Sequence, residues 1–107
     1  MSEFIKVCSV EDLVKNSGVA ALVNEVQIAL FYIDGEVYAL NNFDPVGKAF
    51  VMSRGMVGDL KGELMVAAPL YKQHYSLKTG LNIDDNEAPS IPTYEVKVEN
   101  NTVFVKL

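Results

Sequence analysis

The stretch VAAPLYKQHYSLKTG, Val66 to Gly80, decides how the chain is read. Its first residues finish the apolar run ELMVAA, and QHYSL alternates, so both ends read as strands. Pro69 stands between them, where it cannot donate to a sheet ladder, and a loop is expected there. Thr79-Gly80 then closes a further hairpin.

Outward from this stretch, turn signals recur about every ten residues, the spacing of an all-β domain. EFIKVC alternates as a first strand. In SVEDLVKNSG, Ser9 stands three residues before Asp12, an arrangement that caps one short helical turn. VAALV and VQIALFYI are separated by Asn24-Glu25. Asp34-Gly35 leads into EVYALNN as a two-residue hairpin turn, because both residues tolerate positive φ. Lys61-Gly62 separates MVGDL from ELMVAA, and Asn100-Asn101 joins TYEVKVE to TVFVKL. The expected fold is an all-β antiparallel sandwich of about nine short strands with one short helix. It should form a single domain over residues 1–107.

The 107 residues suffice for a hydrophobic core without staples, and half of them are hydrophobic. Fourteen acids against nine bases give a net charge of −5. That balance, with no cluster of Lys and Arg, argues against a nucleic-acid partner and against anionic membrane surfaces. The most apolar window, VAALVNEVQIALFYI, is broken by Asn24, Glu25 and Gln27 and is too short to span a bilayer. MSEFIKVCSVEDL carries Glu3 and lacks the apolar run of a signal peptide. A lone cysteine, Cys8, allows no intrachain disulfide and suits a reducing compartment. A cytoplasmic location is expected.

Two segments depart from the strand-and-turn rhythm. NFDPVGKAFVMSRG, Asn42 to Gly55, is long for a connection and carries Phe43, Val46, Phe50, Val51 and Met52. LNIDDNEAPSIP, Leu81 to Pro92, is acidic, holds two prolines and is expected as a surface excursion.

GEVYALNNFDP, SRGMVGDLKGELMVAAPLYKQHYSLKTG and PTYEVKVENNTVFVKL together resemble a Rieske-type domain, over Glu25 to Leu107. Such domains hold a [2Fe-2S] cluster between two loops, through a Cys-x-His pair and a later Cys-Pro-x-His pair. On this resemblance the four ligand positions fall on Asp44, Val46, Ala68 and Tyr71. A Rieske cluster needs two thiolates on one iron and two imidazoles on the other. Valine and alanine have no donor atom, and Cys8 on the first strand cannot replace two cysteines. The resemblance therefore implies a Rieske-like fold with no cluster, no other cofactor and no metal in this chain.

With DP and APL at the two loop positions, and with VMSRG and GELMVAAPL around them, the chain is similar to the small subunits of bacterial NADH-dependent nitrite reductase. That similarity implies an accessory, non-catalytic role in nitrate assimilation. The partner it implies is a large subunit carrying FAD, an iron–sulfur centre and sirohaem, which reduces nitrite to ammonium with NAD(P)H. The competing reading is a Rieske-type ferredoxin whose non-standard [2Fe-2S] site uses Asp44 and Tyr71.

Several residues carry two readings each. His74, the one histidine, faces solvent if Tyr75 and Leu77 point inward, or else serves as a base or ligand with no nucleophile patterned beside it. Asp44 is a turn initiator before Pro45, or pairs with a cation on the partner. Tyr71 fills the space of a lost imidazole with its hydroxyl hydrogen-bonded at the loop tip. Phe43, Val46, Phe50, Val51 and Met52 either pack the gap between the loops or form a docking tip. Phe50 and Met52 are expected to touch the large subunit, with Phe43, Val51 and Tyr71 in the same interface. Asp84 to Glu87 lacks the spaced oxygens of a calcium loop and reads as solvated. Cys8 reads as a structural thiol. With no Gly-rich phosphate loop, Ser–His–Asp order or CxxC, the chain shows no catalytic site of its own.

Overall fold

A computed structural model describes residues 3–60, 62–85 and 87–107. Its largest unit is a six-stranded antiparallel sheet in the order β1-β11-β10-β4-β3-β2. These strands are β1 (Phe4–Ser9), β2 (Ser17–Val23), β3 (Val26–Ile33), β4 (Glu36–Asn41), β10 (Thr93–Glu99) and β11 (Thr102–Lys106). A three-stranded sheet holds β7 (Met56–Leu60), β8 (Glu63–Ala67) and β9 (His74–Ser76) in that order. A small ladder pairs β5 (Phe43–Asp44) with β6 (Ala49–Phe50).

The turns follow from local chemistry. Asn24-Glu25, Asp34-Gly35 and Asn100-Asn101 all hold both residues at positive φ, between 48° and 80°. That is the turn geometry whose twist matches the flanking strands. At the β7–β8 turn, Gly62 takes φ +87° and donates its N–H to Asp59 Oδ1 at 2.8 Å. Lys61 of that expected turn lies outside the described residues.

β3 explains the architecture. Its side chains alternate between two cores, which is why VQIALFYI is a nearly unbroken apolar run. Ile28 and Leu30 pack with Val37, Ala39, Val103 and Val105 inside the curl of the large sheet. Ala29, Phe31 and Ile33 face the other way, into a core shared with Met52, Val66, Tyr75 and Leu77. The second core locks the small sheet onto the large one.

Three details differ from the expected outline. Among the described residues there are eleven strands, because Asn42 to Gly55 contains the β5–β6 ladder and a 3-10 turn at Met52–Arg54. The Ser9-capped turn forms as a 3-10 turn at Val10–Asp12, with Ser9 N donating to Asp12 Oδ2 at 2.9 Å. After Thr79-Gly80 the returning chain makes only a single bridge, Tyr75 to Asn82. No helix among the described residues is long and apolar enough to cross a membrane.

Gly80 closes the loop beneath the small sheet at φ +76°, and a Cβ there would lie 1.9 Å from the Ile91 carbonyl oxygen. Gly80→Ala is therefore expected to cost more than about 2 kcal/mol. Urea unfolding checks this: the midpoint should fall with the slope unchanged.

Candidate functional site

The two loops that match the cluster loops of a Rieske domain share one backbone device. Asp44 and Ala68 are each followed by proline and each close a turn four residues on. Lys48 N donates to Asp44 O at 2.8 Å, and Lys72 N donates to Ala68 O at 3.0 Å. Both lysines sit at φ 58°. The loops meet at Gly47, where a Cβ would come within 2.6 Å of Leu70 Cδ1 and 2.7 Å of Asp44 Oδ2. Only a residue without a side chain permits that approach.

Asp44 is fully buried and holds the first loop from within. Its Oδ1 accepts from Val46 N at 2.9 Å and from Gly47 N at 3.0 Å, the local pattern of an Asx turn. Oδ2 has no hydrogen-bond partner among the described residues, and neither does the hydroxyl of buried Tyr75. Burial raises the Tyr75 pKa above its ordinary value, and the Asp44 charge raises it further. Asn82 acts the opposite way, although no hydrogen bond of normal geometry joins it to the phenol.

Two expected site residues are placed differently. Tyr71 does not fill the imidazole space: its side chain is 66% exposed at the tip of the second loop, with no hydrogen bond to its hydroxyl among the described residues. Tyr75 and Met52 pack the interior instead, in one core with Val66, Ala68 and Ile91. Met52 is thus removed from the surface of this chain. The cause is Asn42. Its carbonyl accepts from Met52 N at 3.0 Å and its Oδ1 accepts from Ser53 N at 2.7 Å. Asn42 N also donates to Gln27 O on β3 at 2.9 Å, so the 3-10 turn is pinned to the large sheet with Met52 facing inward.

The remaining loop residues divide between packing and surface. Val46 and Val51 are half-buried. Phe43 is half-buried with its ring 5.0 Å from that of Phe50, which is 52% exposed. Leu70, 50% exposed, joins Tyr71 on the second loop. Leu70 was missed in the sequence, although an apolar residue directly after the loop's proline was a signal for it.

The donor set does not fit a [2Fe-2S] cluster. Val46 and Ala68 have no ligating atom, Asp44 Oδ1 is committed to two backbone N–H groups, and Tyr71 points outward. No group of three or more His, Cys, Asp or Glu suited to a metal occurs among the described residues. Cys8 lies against the other core, its pKa raised by burial and then by Asp12, as a structural thiol requires.

His74 is half-exposed and partnered. Its Nδ1 lies 2.9 Å from Asp84 Oδ2, and its backbone N–H donates to the same carboxylate at 2.8 Å. Asp84 N and Asp85 N donate to Asn82 Oδ1 within the acidic loop, and the His74–Asp84 contacts with the Tyr75–Asn82 bridge tie that loop to β9. Asn86 of that loop lies outside the described residues. The Asp84 pKa is lowered, chiefly by the backbone N–H of His74; burial opposes this, and the hydrogen bond and charge of the His74 side chain add smaller lowering effects. A carboxylate depressed in the folded state stabilises above its unfolded pKa, and that stability is lost as pH falls through the folded value.

Urea midpoints measured against pH should therefore decline below about pH 4, and Asp84→Asn should flatten the decline. In the loops, Tyr75→Phe is expected to leave stability unchanged or raise it, because the hydroxyl is unpartnered. Asp44→Ala should lower it by about 1–3 kcal/mol by stranding two backbone donors.

The Rieske-like [2Fe-2S] domain family matches residues 3–106. The nitrite reductase (NADH) small subunit of Escherichia coli (strain K12) is 37% identical over 108 residues, covering 99% of each chain. The NMR structure of the E. coli protein NirD superposes with a TM-score of 0.88 at 35% identity, covering 100% of this chain and 98% of that one. The nitrite reductase [NAD(P)H] large subunit of Klebsiella oxytoca is 41% identical over 99 residues, 92% of this chain but 10% of that protein. The chain belongs to the Rieske-like [2Fe-2S] domain family, and within it to the small subunits of NADH-dependent nitrite reductase.

Proposed function

We propose that this chain is the accessory small subunit of a cytoplasmic NAD(P)H-dependent nitrite reductase, and that it works by binding the large catalytic subunit without a cluster of its own. One observation carries the reading: the two-loop frame is intact while its ligand positions hold Asp44, Val46, Ala68 and Tyr71. Likeness to small subunits along the whole chain supports the partner. So does the Klebsiella protein, in which a segment of this kind is part of the large subunit's own polypeptide. Such a tether holds the two parts at high effective concentration.

On this reading FAD, the iron–sulfur centre and sirohaem all reside in the large subunit, and no electron passes through the small one. Its effect is thermodynamic. A subunit that binds only the assembled form of its partner favours that form in proportion to how far its concentration exceeds Kd. The contact surface consists of Phe43, Phe50, Val51 and Tyr71, with Leu70 added by its exposure.

Purification of the tagged chain from its host grown on nitrite should bring down a flavin- and sirohaem-containing chain. The isolated subunit should restore that chain's activity while carrying neither iron nor acid-labile sulfide. Stoichiometric iron and sulfide would instead establish the ferredoxin reading. Phe50→Asp is expected to weaken binding about tenfold or more, because exposed aromatics dominate such interfaces. The thermal midpoint of the free subunit should not change, since Phe50 lies outside both cores.

A further inference from the structure

The charge on the two loops is opposite in sign to that of the protein. The segments 42–56 and 66–73 hold three basic side chains, Lys48, Arg54 and Lys72, and one acid, Asp44. That acid is buried and engaged by backbone N–H groups. The rest of the chain carries thirteen acids against six bases. An acidic domain thus presents basic loops.

Lys48 and Lys72 are the informative pair. They occupy the same position in two equivalent turns, each donating its N–H to the residue four places earlier. Each takes φ 58°, where a side chain other than Gly, Asn or Asp is uncommon. Among the described residues, the other positive-φ positions that are not glycine are Asn16, Asn24, Glu25, Asp34, Asn100 and Asn101. Among the described residues, lysine appears at such positions only in the two loops. Both side chains are exposed, and among the described residues neither makes an ion pair. The Gly47–Leu70 contact brings the loops together, so the two lysines border one tip that also exposes Phe50, Leu70 and Tyr71.

We infer that Lys48 and Lys72 form a cationic rim around this apolar tip, and that the rim pairs with acidic side chains bordering an apolar socket on the large subunit. The inference rests on the docking function proposed above and specifies its chemistry. The apolar residues supply the contact that excludes water. The lysines act mainly during approach: opposite charge accelerates encounter and fixes orientation, and salt weakens it. They also counter the repulsion that an acidic subunit would otherwise meet at an acidic rim.

The test is association kinetics between the purified subunit and the purified large subunit, at ionic strengths from about 0.05 M to about 0.5 M. The Lys48→Glu/Lys72→Glu double variant should slow association about tenfold or more at low salt, with little change in dissociation. Its association rate should also lose the salt dependence of the wild type. The Lys48→Asn/Lys72→Asn variant, whose residues suit positive φ, should fall between the two, and thermal melts will show that it folds. Lys78→Glu makes a charge reversal outside the loops and should change the rate little. If wild-type association is insensitive to salt, or if Lys78→Glu alters it as much as Lys48→Glu alone does, the cationic rim is wrong and the docking function stands. If the wild type does not bind the large subunit at all, the docking function falls, and the rim with it.

Discussion

Burial of β3 on both faces is the constraint from which the rest of the structure follows. A strand with apolar residues on alternate sides must be covered twice, and each covering has a separate source. The large sheet curls so that β11 and β4 cover Ile28 and Leu30. The small sheet and the Met52 turn cover Phe31 and Ile33. Fully burying one such side chain is worth roughly 1.5–3 kcal/mol, so several of them outweigh any one loop interaction. The second covering is also what fixes the two loops in space, because Met52 and Ala68 belong to both the core and the loops.

This arrangement accounts for loops that keep their form without metal ligands. In the first loop Asp44 supplies from inside what a ligand bond would supply from outside, a fixed acceptor around which the backbone turns. In the second, the Lys72–Ala68 and Ala68–Gln73 hydrogen bonds do the same with backbone alone. Among the described residues, two buried polar atoms of the site have no partner, Asp44 Oδ2 and the Tyr75 hydroxyl. Each such atom costs about 1–3 kcal/mol, a cost that the surrounding core offsets.

Features set by neighbours in sequence were legible in it. The turns at Asn24-Glu25, Asp34-Gly35 and Asn100-Asn101, the Ser9–Asp12 capping box and the inward side of Tyr75 all follow from residues a few positions apart. The Asx turn at Asp44 was legible for the same reason. What escaped the reading depended on distant partners. Met52 looked like a surface residue because nothing local buries it; Asn42 does so, through Gln27 on another strand. Tyr71 looked like a filler because loops have no side-chain period from which its direction could be read, whereas Tyr75 sits on a strand that has one. The pairing of Lys48 with Lys72 was hidden too. Their shared backbone geometry emerges only when the two turns are compared in space.

Holding the loops by a hydrophobic core has a consequence for an accessory subunit. A tip held by iron would change charge with each electron and lose its form when iron was scarce. A tip held by Met52, Tyr75 and the Asn42 hydrogen bonds does neither. Its apolar residues and lysines stay in place whatever the redox state of the partner. If the subunit contributes binding free energy, as proposed, that constancy matters more than redox chemistry, because affinity for the large subunit then does not vary as the partner takes up and passes on electrons.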